Sequence, residues 1–177
     1  MRDEWGYAEI ALEDLQAAKG MLGLNMYNHA SRLCQQYIEK VLKEFISHVA
    51  DNNTDMQLFS SHNINYLLEE VSRLTSIKFS SSDKRVLKDL NRHYFNTNYP
   101  GSNYSRIEEP KAKSAYKDTL IFATKLQSQL QTHIKDYDLI FNGHKEYLQQ
   151  ELSELEPPDP PPPNKTPKTN QQENLDS

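Results

Sequence analysis

The sequence predicts an all-α fold: an up-and-down antiparallel helical bundle of four to five helices, followed by a disordered C-terminal tail. Three observations carry this. Apolar residues recur three and four positions apart over long stretches, strand-like alternation is nowhere sustained, and glycine is scarce, five in 177 residues, while proline collects near the end. A chain of this length can bury a core of its own without metal or disulfide staples.

The first helix is expected from about Glu4 to Leu22, with Trp5, Ala8, Leu12, Leu15, Ala18 and Leu22 as its apolar stripe, ended by Gly20, Gly23 and Asn25. The second spans Tyr27 to Val49. Its stripe runs through Ala30, Leu33, Cys34, Tyr37, Val41, Phe45 and Val49, and Arg32, Gln35, Gln36, Glu39, Lys40 and Lys43 occupy the opposite face. Asp51 to Asp55 is loop by turn chemistry. Ser60 and Ser61 are placed to cap a third helix, about His62 to Leu74, and Ser80 to Asp83 break and cap a fourth, Lys84 to about Phe95. Asn96 to Arg106, containing Pro100-Gly101, reads as an ordered loop. The fifth helix begins near Glu108, where two glutamates and Pro110 suit a first turn, and ends around Lys135 to Tyr137. A last pattern over Leu139 to Leu155 is weakened by Gly143 and continues the fifth helix with a kink or follows it. The chain thus divides into a bundle over 1–137, a helical extension over 138–156 and a proline-rich tail over 157–177, whose Pro157 to Pro163 run favours polyproline II.

Net charge is −5, which argues against a general nucleic-acid or anionic-membrane binder. The distribution is uneven, however. Residues 73–113 carry nine Lys and Arg against four acids, so this stretch is positive while the remainder is strongly acidic. A single cysteine, Cys34, forbids an internal disulfide and suits a reducing compartment; it lies on an apolar stripe and reads as a small buried hydrophobe. The N-terminus lacks the apolar region of a signal peptide, and no segment is apolar enough to cross a bilayer, so the expectation is a cytoplasmic protein with no membrane association.

No catalytic constellation stands out. The six histidines never pair at i, i+4 around a carboxylate, no Glu-x-x-His set suits a di-metal bundle, no serine sits in a glycine-flanked elbow, and no glycine-rich phosphate loop exists. Neither metal nor cofactor is expected. The stretch Asp89 to Gly101 concentrates what chemistry there is. Lys88 and Arg92 are four apart and share a helical face with Arg85 nearby, a pattern that offers phosphate a point charge and a planar fork. Arg92 and His93 are adjacent and about 100° apart on a helix. Tyr94, Tyr99 and Tyr104 are candidate rings for base stacking. The candidate ligand-binding residues are Lys88, Arg92, His93, Asn98 and Tyr99. Arg92 and His93 are the alternative catalytic pair.

The order Ala11, Asp14, Leu15, Ala18 in the first helix is followed by Cys34, Gln35, Gln36, Glu39, Lys40, Leu42 and Lys43 in the second. Then come His62, Asn91-Arg92-His93-Tyr94, and Thr97 to Gly101 with its Tyr-Pro pair. Over about residues 5–135 this resembles the HEPN domain family (higher eukaryotes and prokaryotes nucleotide-binding). The resemblance implies a helical bundle similar to nucleotidyltransferase substrate-binding subunits. It further implies a cytoplasmic prokaryotic protein acting as a homodimer, often encoded beside a minimal nucleotidyltransferase, with some members being RNA-cutting toxins of toxin–antitoxin pairs that use Arg-x(4–6)-His. That spacing is absent here, since none of the six arginines has a histidine five to seven positions on and Arg85 to His93 is eight apart. Similar proteins often have arginine before Tyr-Pro, where this chain has the neutral Asn98. The expectation is a non-catalytic HEPN-like domain that binds a partner protein and a nucleotide or RNA phosphate at its basic loop. A divergent ribonuclease acting as a dimer is the alternative.

Overall fold

The structure is a computed structural model describing residues 6–98, 101 and 104–155. The expected tail over 157–177, the start of the first helix at Glu4 and Trp5, and the candidate Tyr99 lie outside the described residues. Among those described there are seven α-helices, one short 3-10 helix and no strand. The α-helices are α1 (Tyr7–Gly23), α2 (Tyr27–Val49), α3 (Ile64–Thr75), α4 (Ser81–Asn98), α5 (Glu109–Leu130), α6 (Tyr137–Ile140) and α7 (His144–Leu155).

α1 and α2 form a hairpin. Ala8, Ala11, Leu15 and Ala18 are the buried face of α1, and three alanines among the four let α2 lie close. The turn is closed by Leu24 N–H donating to the Gly20 carbonyl and Met26 N–H to that of Met21, with Asn25 at φ 58°, a left-handed conformation asparagine tolerates. α1 has no side-chain cap of its own; the Glu44 carboxylate of α2 accepts from Ala8 N–H at 3.3 Å instead. That carboxylate lies 3.3 Å from where a Cβ would project at position 6, so glycine suits the approach.

α2 is the central helix, in contact with α1, α3, α4 and α5. Of its apolar stripe Ala30, Cys34, Tyr37, Val41 and Phe45 are buried and Leu33 and Val49 half-buried, and burial pushes the Cys34 thiol up to about 12, so it is no nucleophile at neutral pH. Half of the polar face expected opposite the stripe is buried as well, Gln35 at 0% exposure, Glu39 at 6% and Lys43 at 4%, while Arg32, Gln36 and Lys40 are half-buried. Packing α3 and α4 against that side shields these three residues from water, and the charges of Glu39 and Lys43 are paired internally, while Gln35 Oε1 has no hydrogen-bond partner. Lys43 Nζ donates to Glu39 at 2.6 Å, Gln35 Nε2 donates to the same carboxylate at 3.1 Å, and His62 Nδ1 approaches it at 3.2 Å.

Helix boundaries differ from expectation where a competing cap wins. Asp55 caps the 3-10 helix Met56–Ser60, so α3 starts later, with Asn63 accepting from Asn65 N–H and Tyr66 N–H in place of a Ser60 or Ser61 cap. α4 begins at Ser81 and extends through Asn98, so the first residues of the expected 96–106 loop are helical. Ser80 N–H donates to Asp83 at 2.8 Å, confirming the break and cap there. α5 stops at Leu130 rather than near Lys135. The following chain makes the single-turn α6, turns at Gly143 with φ +78°, and returns α7 against α5. The expected pattern over Leu139 to Leu155 is thus divided into α6 and α7, beyond the bundle helices α1 to α5.

α7 is bonded into the bundle. Glu151, 3% exposed, accepts from Lys19 of α1 at 2.5 Å and from the Tyr116 hydroxyl of α5 at 2.8 Å. His144, 1% exposed, has Nε2 at 2.9 Å from the Ala8 carbonyl, so Nε2 carries the proton and Nδ1 accepts from Tyr37 at 3.3 Å.

Removing one member of a buried ion pair leaves the other uncompensated, at a cost of about 3–5 kcal/mol. Glu39→Leu, which orphans Lys43 and the His62 and Gln35 contacts together, is expected to lower unfolding free energy by about that amount in urea titrations. A loss under about 1 kcal/mol would show that the cluster is not structurally required.

Candidate anion-binding groove

α4 carries two different faces. Tyr94 and Leu90 point into the core, 7% and 2% exposed, and the Tyr94 ring stacks on His62 with centroids 5.5 Å apart. Asn91 accepts from Ile64 N–H at 3.2 Å and donates to Asn63 at 2.9 Å. The other face presents Arg85, Asp89, Arg92 and Asn96, spaced four, three and four, with His93 beside them. This face forms one wall of a groove of about 600 Å³. The opposite wall is built from Ser105, Arg106 and Ile107, then Lys111, Ser114 and Asp118 on the first three turns of α5.

The loop wall is fixed by backbone groups. Ser105 N–H donates to the Asn96 carbonyl at 3.1 Å, and Ile107 N–H donates to Asn28 of α2 at 2.7 Å. Ile107 is 3% exposed and anchors the segment in the core. Arg106 and Lys111 are thereby brought opposite Arg85 and Arg92, although no helical spacing connects them.

Four cationic side chains face two carboxylates across this groove. Arg92 reaches Asp89 only at 3.8 Å, and Asp118 is engaged by the Ser114 hydroxyl at 3.2 Å. Among the described residues no carboxylate lies within salt-bridge distance of Arg85, Arg106 or Lys111. His93 is half-buried, and its Nδ1 is shut off from solvent with no hydrogen-bond partner. Burial holds its pKa below the ordinary 6.5; the positive charges of Lys111 and Arg92 act the same way, and Asp89 opposes them. At neutral pH His93 is therefore an uncharged imidazole in a positive field.

The structure brings Arg92 and His93 of the expected site into one groove, since its width spans more than the 100° between neighbours. Lys88 is exposed and is not among the lining residues. Asn98 is turned away: its side-chain oxygen accepts from Arg32 of α2 at 3.1 Å, and Arg32 also donates to His29 at 3.0 Å. Tyr94 is core packing rather than a stacking platform. Tyr104 is exposed, and its hydroxyl accepts from Asn28 at 3.2 Å. Arg106, Lys111 and Asn96 are groove residues that sequence reasoning did not single out; the signal that could have found two of them is the local basic excess over 73–113. Among the described residues no group of three His, Cys, Asp or Glu is placed to hold a metal ion, and no helix is long and apolar enough to cross a membrane.

The family model of the HEPN domain matches residues 6–129, from the start of α1 to the end of α5. The chain belongs to the HEPN domain family; α6 and α7 lie beyond the matched region. No curated protein and no solved structure matches the chain.

The folded-state pKa of His93 is lowered, so His93 favours folding above the ordinary value of 6.5 and that contribution is lost as pH falls below it. Imidazole NMR titration is expected to give a midpoint below 6.5, raised in Lys111→Gln and lowered further in Asp89→Asn. A midpoint unmoved by both substitutions would mean that the groove charges do not reach the ring.

Proposed function

We propose that this HEPN domain is a non-catalytic binding module that holds a phosphate of a nucleotide or of RNA in the groove between α4 and α5. The observation that carries the reading is the set of three cations without a carboxylate partner, Arg85, Arg106 and Lys111, converging with Arg92 on one cavity. Arginine forks and a lysine point charge are the groups that recognise phosphate oxygens. Isothermal titration with ATP and with a short RNA is expected to give binding that weakens steeply with salt. Arg92→Gln should weaken it roughly tenfold, about 1.4 kcal/mol. Absence of binding at millimolar ligand, or an unchanged affinity in Arg92→Gln, rejects the reading.

A second reading, a divergent ribonuclease, is favoured by one observation: Arg92 and His93 line the same groove, and an uncharged imidazole is a competent general base. RNA cleavage that disappears in His93→Ala would support it; cleavage unaffected by that substitution excludes this mechanism.

The domain is further proposed to act as a homodimer and to associate with a minimal nucleotidyltransferase, as the family resemblance implies. What supports self-association is Ile121, 49% exposed on α5 at an apolar-floored cleft that shares Val86 and Asp118 with the groove. Sedimentation velocity is expected to give about twice the chain mass of 20.6 kDa, and Ile121→Glu is expected to restore the monomer. A wild-type protein sedimenting as monomer at tens of micromolar refutes the dimer. Co-expression and purification with such a nucleotidyltransferase tests the partner.

A further inference from the structure

α7 is held to the bundle largely by polar bonds. Of its twelve residues it buries His144, Leu148 and Glu151, and only Leu148 is apolar. A helix this short is marginal by itself in water, so its place depends on what ties it down. The Glu151 end is tied by the ammonium of Lys19 and the hydroxyl of Tyr116. The opposite end is tied by the imidazole of His144, whose Nε2–H donates to the Ala8 carbonyl of α1 and whose Nδ1 accepts from Tyr37 of α2. Gly143, directly before it, turns at φ +78°, a conformation that favours glycine and separates α7 from α6.

These two bonds require the neutral ring. A charged imidazole donates from both nitrogens. Its Nδ1–H would then meet the Tyr37 hydroxyl, which already accepts from Gln127 Nε2 at 3.3 Å and would have to give up its own bond to His144. The charge would also be buried without a counterion. The ring lies against those of Tyr37 and Phe141, with centroids 5.7 and 5.4 Å away, and among the described residues no carboxylate lies within salt-bridge distance of it. The charged groups around it are engaged elsewhere or exposed. On α1, Lys19 holds Glu151 and Glu154; on α2, Glu44 accepts from Ala8 N–H and approaches His48. α5 and α6 bring Gln127 and Tyr137, and burial pushes the Tyr137 hydroxyl up, so both are uncharged. Asp138 of α6 and Lys145 and Glu146 of α7 are exposed. Burial holds the His144 pKa below 6.5, opposed by the bond to Ala8. A lowered value favours the docked state above 6.5, and that contribution is lost as pH falls below it.

We propose that His144 is a pH-sensitive latch: its protonation releases α7 from the bundle while α1 to α5 stay folded. The released helix is one of the two that lie beyond the family-matched region, and what remains keeps its own core, in which Leu15, Ile38, Leu42 and Phe45 are fully buried.

The test is amide hydrogen exchange of the full chain from pH 7.5 to below pH 5, corrected for the intrinsic pH dependence of exchange. One proton taken up on opening raises the opening constant about tenfold per pH unit below 6.5. Exchange of α7 amides is therefore expected to speed up about tenfold between pH 7.5 and 5.5, with the amides of α2 and α5 unchanged. His144→Gln keeps a side-chain donor and His144→Phe keeps a ring; neither titrates, and each is expected to reduce that ratio to about one. Glu151→Gln loosens the other end, and is expected to speed exchange at both pH values while keeping the ratio. A rise shared equally by α2 and α5 is global unfolding and overturns the latch. So does a tenfold ratio that survives in both His144 variants, or a wild-type α7 that shows no rise. Should both variants leave α7 unprotected at pH 7.5, the onset of the wild-type rise decides: near pH 6.5 it supports a histidine latch, and only below pH 5 it belongs to a carboxylate and overturns it.

Discussion

The Glu39 carboxylate is the interaction on which the arrangement of α2, α3 and α4 depends. It sits 6% exposed on the central helix and collects Lys43, Gln35 and His62 within 3.2 Å. A carboxylate in such a position must be fully engaged, because an unpaired buried charge is among the most costly defects a core can hold. The engagement is also directional. Gln35 donates a second bond to the His62 backbone carbonyl at 2.8 Å, so the chain just before α3 is fixed to α2 by side chain and main chain together. His62 in turn stacks on Tyr94, and Asn63 meets Asn91, which brings α4 into the same network. An apolar stripe alone would tolerate small sliding of α3 and α4 along α2; this set of bonds admits one register.

That network explains how α4 can offer a preorganised outer face. Its inner residues, Leu87, Leu90, Asn91 and Tyr94, are buried and bonded, so the backbone carrying Arg85, Arg92 and His93 is held from behind. The end of α4 is held separately by Arg32 on Asn98, and the facing loop by Asn28. Charge pairing elsewhere then sorts the basic residues of the 73–113 stretch. Arg73 is occupied by Asp51 and Glu70 at 2.8 and 2.6 Å, which holds the Asp51 carboxyl well below its usual range, and Lys113 is occupied by Glu109 at 2.6 Å. Arg85, Arg106 and Lys111, with no carboxylate within salt-bridge distance among the described residues, line the groove, while Lys84 and Lys88 of α4 lie outside it.

Much of this bundle was legible beforehand. The stripes of α1, α2 and α5 are long and regular enough that their helical state and buried faces follow from period alone, and α2 is found at Tyr27–Val49 as expected. Where expectation and structure part, the reason is competition between equivalent local signals. Ser60, Ser61 and Asn63 can all cap, and only the tertiary contact of Asn63 with Asn91 decides among them. The polar face of α2 was read as such without foresight that it is buried, because burial depends on how many neighbours a helix has and not on its own pattern. The end of α5 at Leu130 reflects the return of α7, whose His144 and Glu151 bond to α1, α2 and α5 across more than a hundred residues in the longest cases.

The groove was legible as a charge excess and illegible as a site, and the difference is physical. Helical spacing places residues only relative to their own helix. It joined Lys88 with Arg92 and put Arg85 nearby, but it could not say which face of α4 meets α5, and so it omitted Lys111, which lies in another helix; Asn98, a candidate from the Tyr-Pro loop, is turned toward Arg32. Arg106 depends on a loop whose course is set by two backbone hydrogen bonds that no pattern encodes. A binding surface made from three elements has a sequence signature only in its sum, here the local positive charge. The chemistry of that sum is therefore the more secure guide to the ligand than any single pair within it. The adjacency of Arg92 and His93 invites a catalytic reading, whereas the distribution of unpaired cations over both walls supports the phosphate-binding reading proposed above.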